Sequence, residues 1–261
     1  MQGSDSHARE DAVEVVNRDG AGSVLLLCEH ASSHIPDRYN GLGLRAEDRL
    51  SHAAWDPGAL SVSLHLSKAL DAPLVASRVS RLVYDCNRPP EAASAMPDRS
   101  ELISVPGNIG LDAAARQERV DTVYSPFCKA VSEIVEARKL AGLQTVLVTM
   151  HSFTPVYFGK EREVEIGILH DDDTCLADAM LAVADALPHR RVERNEPYGP
   201  ADGVTHSLKI HGLAHGLANV MIEIRNDLVG TPEEEEAMAE EMLTLLRPAL
   251  VALAAEGGQD A

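Results

Sequence analysis

The chain has 261 residues, of which 45% are hydrophobic and 25% charged, the balance of a folded globular protein long enough for one large α/β domain. Acidic residues outnumber basic ones by 41 to 23, a net charge of -18 that repels phosphate backbones and anionic membrane surfaces and so excludes nucleic acid and membrane as expected partners. The four cysteines (Cys28, Cys86, Cys128, Cys175) show no CxxC or paired zinc-finger spacing. With no signal-like start and no run long enough to span a membrane, they read as reduced thiols of a cytoplasmic protein.

Residues 1–21 are polar and aperiodic and are expected to form a flexible tail, followed by a single domain over 22–256 and a short flexible end at 257–261. The first buried strand is expected at Ser23-Val24-Leu25-Leu26-Leu27-Cys28, a continuous apolar run that ends in Glu29-His30. Leu60, Leu64, Leu66 and Leu70 carry helical spacing, Pro73 to Ala76 reads as a second strand, and Arg81 to Tyr84 as a third that runs into Asp85-Cys86-Asn87-Arg88. The Pro-, Ser- and Gly-rich stretch from Pro89 to Leu111 predicts a long surface excursion of the kind that often serves function.

A long amphipathic helix is predicted from Ala113 to Leu140, broken near Pro126. The clearest central strand runs from Gln144 to Met150 and delivers His151 at its carboxyl end. A further strand over Glu165 to His170, a helix over Thr174 to Leu187, and a strand over Ala218 to Ile224 carrying Glu223 and Arg225 follow. The final helix starts with Thr231 as N-cap and Pro232 in its first turn, where the helix dipole accounts for the acidic run Glu233 to Glu236. Strands alternating with helices predict a three-layer α/β/α domain around a mixed, mostly parallel sheet, with ligands gathering at the strand carboxyl ends.

Reactive side chains fall at those ends. His30 and His151 would each present a rigidly held imidazole after a buried strand, as a metal ligand requires. A carboxylate to complete the set is sought in Asp56, which equally suits an N-cap, or in Glu29, which alternation points away from His30; Asp56 is preferred. Glu223, between Ile222 and Ile224, is costly to bury unpaired, so it either pairs with a cation such as Arg225 or serves as a base. Arg78, Arg81, Arg88 and Arg225 lie near strand ends, and the planar guanidinium fork suits a small anionic substrate. His206, His211 and His215 are read as loop histidines flanking the pocket rather than a second metal cluster. No P-loop, GxGxxG or GxSxG motif is present, so nucleotide-binding and serine-hydrolase readings lose support.

Taken together, Cys28-Glu29-His30-Ala31-Ser32, Asp56-Pro57-Gly58-Ala59, Ser77-Arg78 through Asn87-Arg88, Met150-His151-Ser152-Phe153 and Val220 through Leu228 resemble the N-formylglutamate amidohydrolase family, related to aspartoacylases and zinc carboxypeptidases. The resemblance implies a zinc-carboxypeptidase-like fold with one zinc per chain, ligated by His30 and His151, and with Asp56 placed in the shell by inference because Ser33 stands where the carboxypeptidase pattern has a Glu. It implies Glu223 as general base, and Asn87 and Arg88, helped by Arg81 or Arg225, as holders of the carboxylate of an N-formyl or N-acyl amino acid. The first motif departs from the Pro-His-Ser-Gly version of the histidine-degradation deformylase, which points to a paralogue with another acyl substrate. Rival readings are a metal-free binding module for small acidic metabolites and a zinc peptidase acting on peptide carboxyl termini.

Overall fold

The computed structural model describes residues 12–257. Seven strands form its main sheet: β1 (Val13–Val16), β2 (Val24–Cys28), β3 (Leu74–Ser77), β4 (Val146–Phe153), β5 (Ile166–Leu169), β6 (Val192–Arg194) and β7 (Asn219–Arg225). Their order across the sheet is β1-β3-β2-β4-β7-β5-β6. The central run β3, β2, β4 and β7 is parallel, β1 joins it antiparallel, and β5 and β6 are parallel to each other but antiparallel to β7. The carboxyl ends of β2, β4 and β7 therefore open on the same edge, and that edge holds the site.

Period-2 alternation sorts the core into two layers. Val24, Leu26 and Cys28 of β2, Val148 and Met150 of β4, and Val220, Ile222 and Ile224 of β7 face α1 (Ala59–Leu70), α4 (Cys175–Leu181) and α5 (Pro232–Gly257). Leu25, Leu27, Leu147 and Met221 face the other way, toward α3 (Ser125–Leu140), which follows the shorter α2 (Ala113–Arg119). The result is the expected α/β/α sandwich. Thr231 begins α5 as anticipated, its hydroxyl accepting from the Glu234 N–H at 3.3 Å. Among the described residues no helix is long and apolar enough to cross a membrane.

Two expectations are corrected. The segment read as a loose tail through residue 21 contains β1, in which Val13 lies opposite Ser77 and Val16 opposite Leu74. Three β-branched valines with apolar surface to cover suffice for an edge strand, which needs only one partner; residues 1–11 and 258–261 lie outside the described residues. Arg81 to Tyr84 is no strand but a series of turns, with the Val83 N–H on the Ser80 carbonyl and the Arg81 N–H on the Ala54 carbonyl. Leu82, Val83 and Tyr84 are all buried, so their continuous apolarity reflects cover on every side rather than a sheet. The break expected near Pro126 in the long helix lies at Val120–Tyr124 as one wide π turn, where the Ser125 N–H reaches the Val120 carbonyl.

Candidate metal centre and active site

Alternation places Glu29, His151 and Glu223 on the α3 side of the sheet, in step with Leu25, Leu27, Leu147 and Met221. His151 and Glu223 are direct neighbours in the parallel β4–β7 register, and Gly167 of β5 stands opposite Glu223 on its other side. His30 follows β2, and its carbonyl accepts the Asp56 N–H, docking the 56–58 turn onto the strand end. That turn needs Gly58: its φ is +78°, and a Cβ there would lie 2.4 Å from Val229 Cγ2. Gly58, not Asp56, is the residue that caps α1, so the capping alternative for Asp56 falls away and its carboxylate is left for the site.

Three ligand atoms meet. His151 Nδ1 lies 3.1 Å from His30 Nδ1 and 2.9 Å from Asp56 Oδ2, and His30 Nδ1 lies 3.1 Å from the same oxygen. All three residues are buried. The remote nitrogen of each imidazole faces a second carboxylate: His30 Nε2 is 2.7 Å from Asp85 Oδ1, and His151 Nε2 is 3.3 Å from Glu29 Oε2. Ionised carboxylates can only accept, so a neutral His30 carries its proton on Nε2 toward Asp85, and the charge of Glu29 favours the same tautomer for His151, which leaves the two Nδ1 lone pairs facing each other and Asp56. Three lone pairs converging at about 3 Å repel unless a cation sits among them, and a spacing of about 3 Å is that of donors sharing one small divalent ion. The residues present therefore fit a metal, with Asp85 and Glu29 as the outer carboxylates that fix ring orientation and tautomer.

The electrostatics agree. Burial alone would raise the Asp56 and Asp85 carboxyls, but a protonated His30, a cation in the place of the metal, with its hydrogen bonds and with Arg81 adding to both, holds them well below the usual carboxylate range. Burial opposes charge on His151, yet Glu29 and Asp56 outweigh it and raise its basicity well above an ordinary imidazole. A pocket that binds a proton so firmly favours a cation of either kind. Arg81 locks the frame, donating to Asp56 Oδ1 at 3.3 Å and to Asp85 Oδ2 at 2.8 Å.

Glu223 differs from these carboxylates. It is 5% exposed, and its Oε2 has no hydrogen-bond partner. Burial, with the negative charge of Asp56 adding, pushes its carboxyl up to about 7 against the opposing pull of His151, His30 and Arg81. It borders a cavity of about 170 Å³ together with His30, Asp56, His151, Arg81, Asn87 and Arg88. A carboxylate with raised basicity and an unpartnered oxygen, lining a cavity beside a cation site, is equipped to move protons.

The N-formylglutamate amidohydrolase family model matches residues 22–229. The chain belongs to that family. Among solved structures, a gene product of Agrobacterium tumefaciens is 55% identical, with 95% of this chain and 98% of that one covered and a TM-score of 0.93. An N-formylglutamate amidohydrolase from Ralstonia eutropha JMP134 shares the fold at 20% identity, with coverages of 95% and 99% and a TM-score of 0.68. Among curated proteins none matches the sequence. The family is one of hydrolases acting on carbon–nitrogen bonds, and the resemblance read from the sequence motifs is thereby sustained.

Of the residues anticipated from sequence, His30, Asp56, His151, Glu223, Arg81, Asn87 and Arg88 all line the cavity. Arg225 does not: its guanidinium pairs with Asp227 at 2.8 Å and Glu165 at 3.6 Å, because it points from the last residue of β7 toward the neighbouring β5 side. Asn87 is committed elsewhere, its amide donating to the Val204 carbonyl and accepting from the Ser207 N–H, so it braces the 204–207 loop. None of the three loop histidines lines the cavity: His206 bonds Tyr124 at 2.8 Å, His211 is buried near Phe127, and His215 is exposed. Sequence reasoning assigned no role to Asp85, although its place at the head of Asp85-Cys86-Asn87-Arg88 was visible, nor to Glu29 beyond that of an alternative ligand. Its position behind His151 leads to a prediction: Glu29→Gln weakens metal binding about 10- to 100-fold, measured by competition with a chromophoric chelator. Unchanged affinity would deny Glu29 its supporting role.

Proposed function

We propose that this protein hydrolyses the amide bond of an N-formyl or N-acyl amino acid, with zinc or another divalent cation held by His30, Asp56 and His151. The observation that carries this reading is the partnerless Glu223 carboxylate facing the same cavity as the three converging ligand atoms. A divalent cation there would polarise the scissile carbonyl and make water acidic enough to attack at neutral pH. Glu223 accepts the proton of the attacking water and returns it to the departing amine nitrogen, so the products are a carboxylate and a free amino acid. Arg88, which has no carboxylate partner among the described residues, takes the substrate carboxylate; one of its nitrogens is steadied by the Asn87 carbonyl at 2.8 Å.

A metal-free binding module would gain nothing from burying an unpaired carboxylate, and that cost favours the enzyme. Release of free amine from a panel of N-formyl and N-acetyl amino acids tests the reading directly. Turnover confined to peptides, or no turnover together with no metal in the purified protein, would overturn it. Arg88→Ala should raise KM at least about tenfold with a smaller change in kcat, because it removes binding that ground and transition states share; a loss confined to kcat would place Arg88 elsewhere in the reaction.

A further inference from the structure

We propose that the substrate carries one carboxylate only, held by Arg88, and that its side chain is uncharged and packs on an aromatic wall made by Phe153, Tyr157 and Tyr198. The inference rests on the amidohydrolase reading above and narrows it, away from the dicarboxylic acid for which the family is named.

The charges around the cavity decide the first half. Its cationic side chains, apart from the two ligand histidines, are Arg81, Arg88 and, when protonated, His52. Arg81 has both terminal nitrogens engaged by Asp56 and Asp85. His52 Nε2 is held by Glu101 Oε2 at 3.0 Å, so that pair brings no net positive charge. Arg88 is the cavity-lining cation that no carboxylate of the described residues engages. A second substrate carboxylate would enter a cavity that already holds the Asp56 and Glu223 carboxyls, and it would lose its hydration without a cation in exchange.

The aromatic wall decides the second half. Phe153, Tyr157 and Tyr198 all line the cavity. Against them the Arg162 guanidinium lies 5.5, 4.5 and 4.7 Å from their ring centroids, while its Nη1 donates to the Thr154 carbonyl. A cation stacked on three rings holds them in place, so the apolar surface they present is organised before any ligand arrives. The wall is also tied at its rim. Glu101 accepts the Phe158 N–H at 2.8 Å with one oxygen and holds His52 with the other, joining the 154–161 hairpin to the 93–105 loop. On the far side, Gly167 lets the Glu196 carbonyl come within 1.9 Å of where a Cβ would stand, which seats the segment carrying Tyr198 against the sheet.

The test uses the metal-loaded protein as purified and follows release of free amine from N-formyl-L-phenylalanine, N-formyl-L-leucine, N-formylglycine and N-formyl-L-glutamate. The expected kcat/KM for the phenylalanine or leucine compound exceeds that for the glutamate compound at least about tenfold. Tyr157→Ala should shrink the phenylalanine-to-glycine ratio at least about fivefold, a change that a purely structural role for the ring would not produce. Equal or better turnover of N-formyl-L-glutamate overturns the inference, and its selective loss in Arg162→Met would show that Arg162 leaves the rings to bind the second carboxylate. Should no N-acyl amino acid be turned over, the hydrolase reading fails by itself. The side-chain preference is then decided by calorimetric titration of Glu223→Gln, in which tighter binding of N-formyl-L-phenylalanine than of N-formyl-L-glutamate supports it and the reverse order overturns it.

Discussion

His151→Ala is expected to abolish metal binding and turnover together and to destabilise the fold, whereas His30→Ala should abolish the same two properties at a smaller cost in stability. Each replacement removes one of three donors from a site that has no spare ligand at the same spacing among the described residues. The difference lies behind the rings. Without His151, the fully buried Glu29 loses the imidazole that faces it at 3.3 Å, and an uncompensated buried carboxylate costs about 3–5 kcal/mol. Without His30, Asp85 still accepts from Arg81 at 2.8 Å and from the Asn87 N–H at 2.9 Å. Metal content by plasma emission and urea denaturation of both variants measure the two effects. Full metal occupancy in either variant would refute the ligand assignment, and equal stability loss would refute the role given to Glu29.

Glu223→Gln should lower kcat by about 10³-fold or more while leaving metal content and KM nearly unchanged. The amide occupies the same volume beside His151 and relieves a buried carboxyl of its desolvation cost, so the variant should fold at least as well as the parent protein. What it cannot do is accept a proton. General acid–base groups contribute about 10²–10⁴-fold, and in the proposed reaction one carboxylate serves both halves of the transfer. A divalent cation held by the three ligands would lower the Glu223 pKa from about 7 and so favour its ionised form at neutral pH. Retention of full turnover by the variant would remove Glu223 from the mechanism, and loss of metal would recast it as a ligand.

Much of the frame was legible in the residues. The apolar runs at 24–28, 146–150 and 219–224 each became a central strand, because a strand covered on both faces needs a continuous apolar sequence. The period of two that follows from strand geometry also put His151 and Glu223 side by side once the strands were neighbours. The motif order then carried the family resemblance, in which the spacing of ligands along the chain is itself a record of strand ends. The misreadings have a common cause. Arg81 to Tyr84 and Val13 to Val16 are short, and over four residues apolarity alone does not tell a buried turn from a strand or an edge strand from a tail.

By itself, then, the sequence determined the layers, the central strands, and the positions of the two histidines and Glu223 at one sheet edge, since these follow from local periodicity. Only the tertiary structure decided which carboxylate joins the histidines, which ones stand behind them, and that Arg225 turns away while Arg88 stays open. The metal-site outcomes depend on contacts between residues 26 to 122 positions apart, such as His30 with Asp56, with Asp85 and with His151, and His151 with Glu29. No local pattern encodes them, because they are set by how loops close over the sheet rather than by what any one segment prefers.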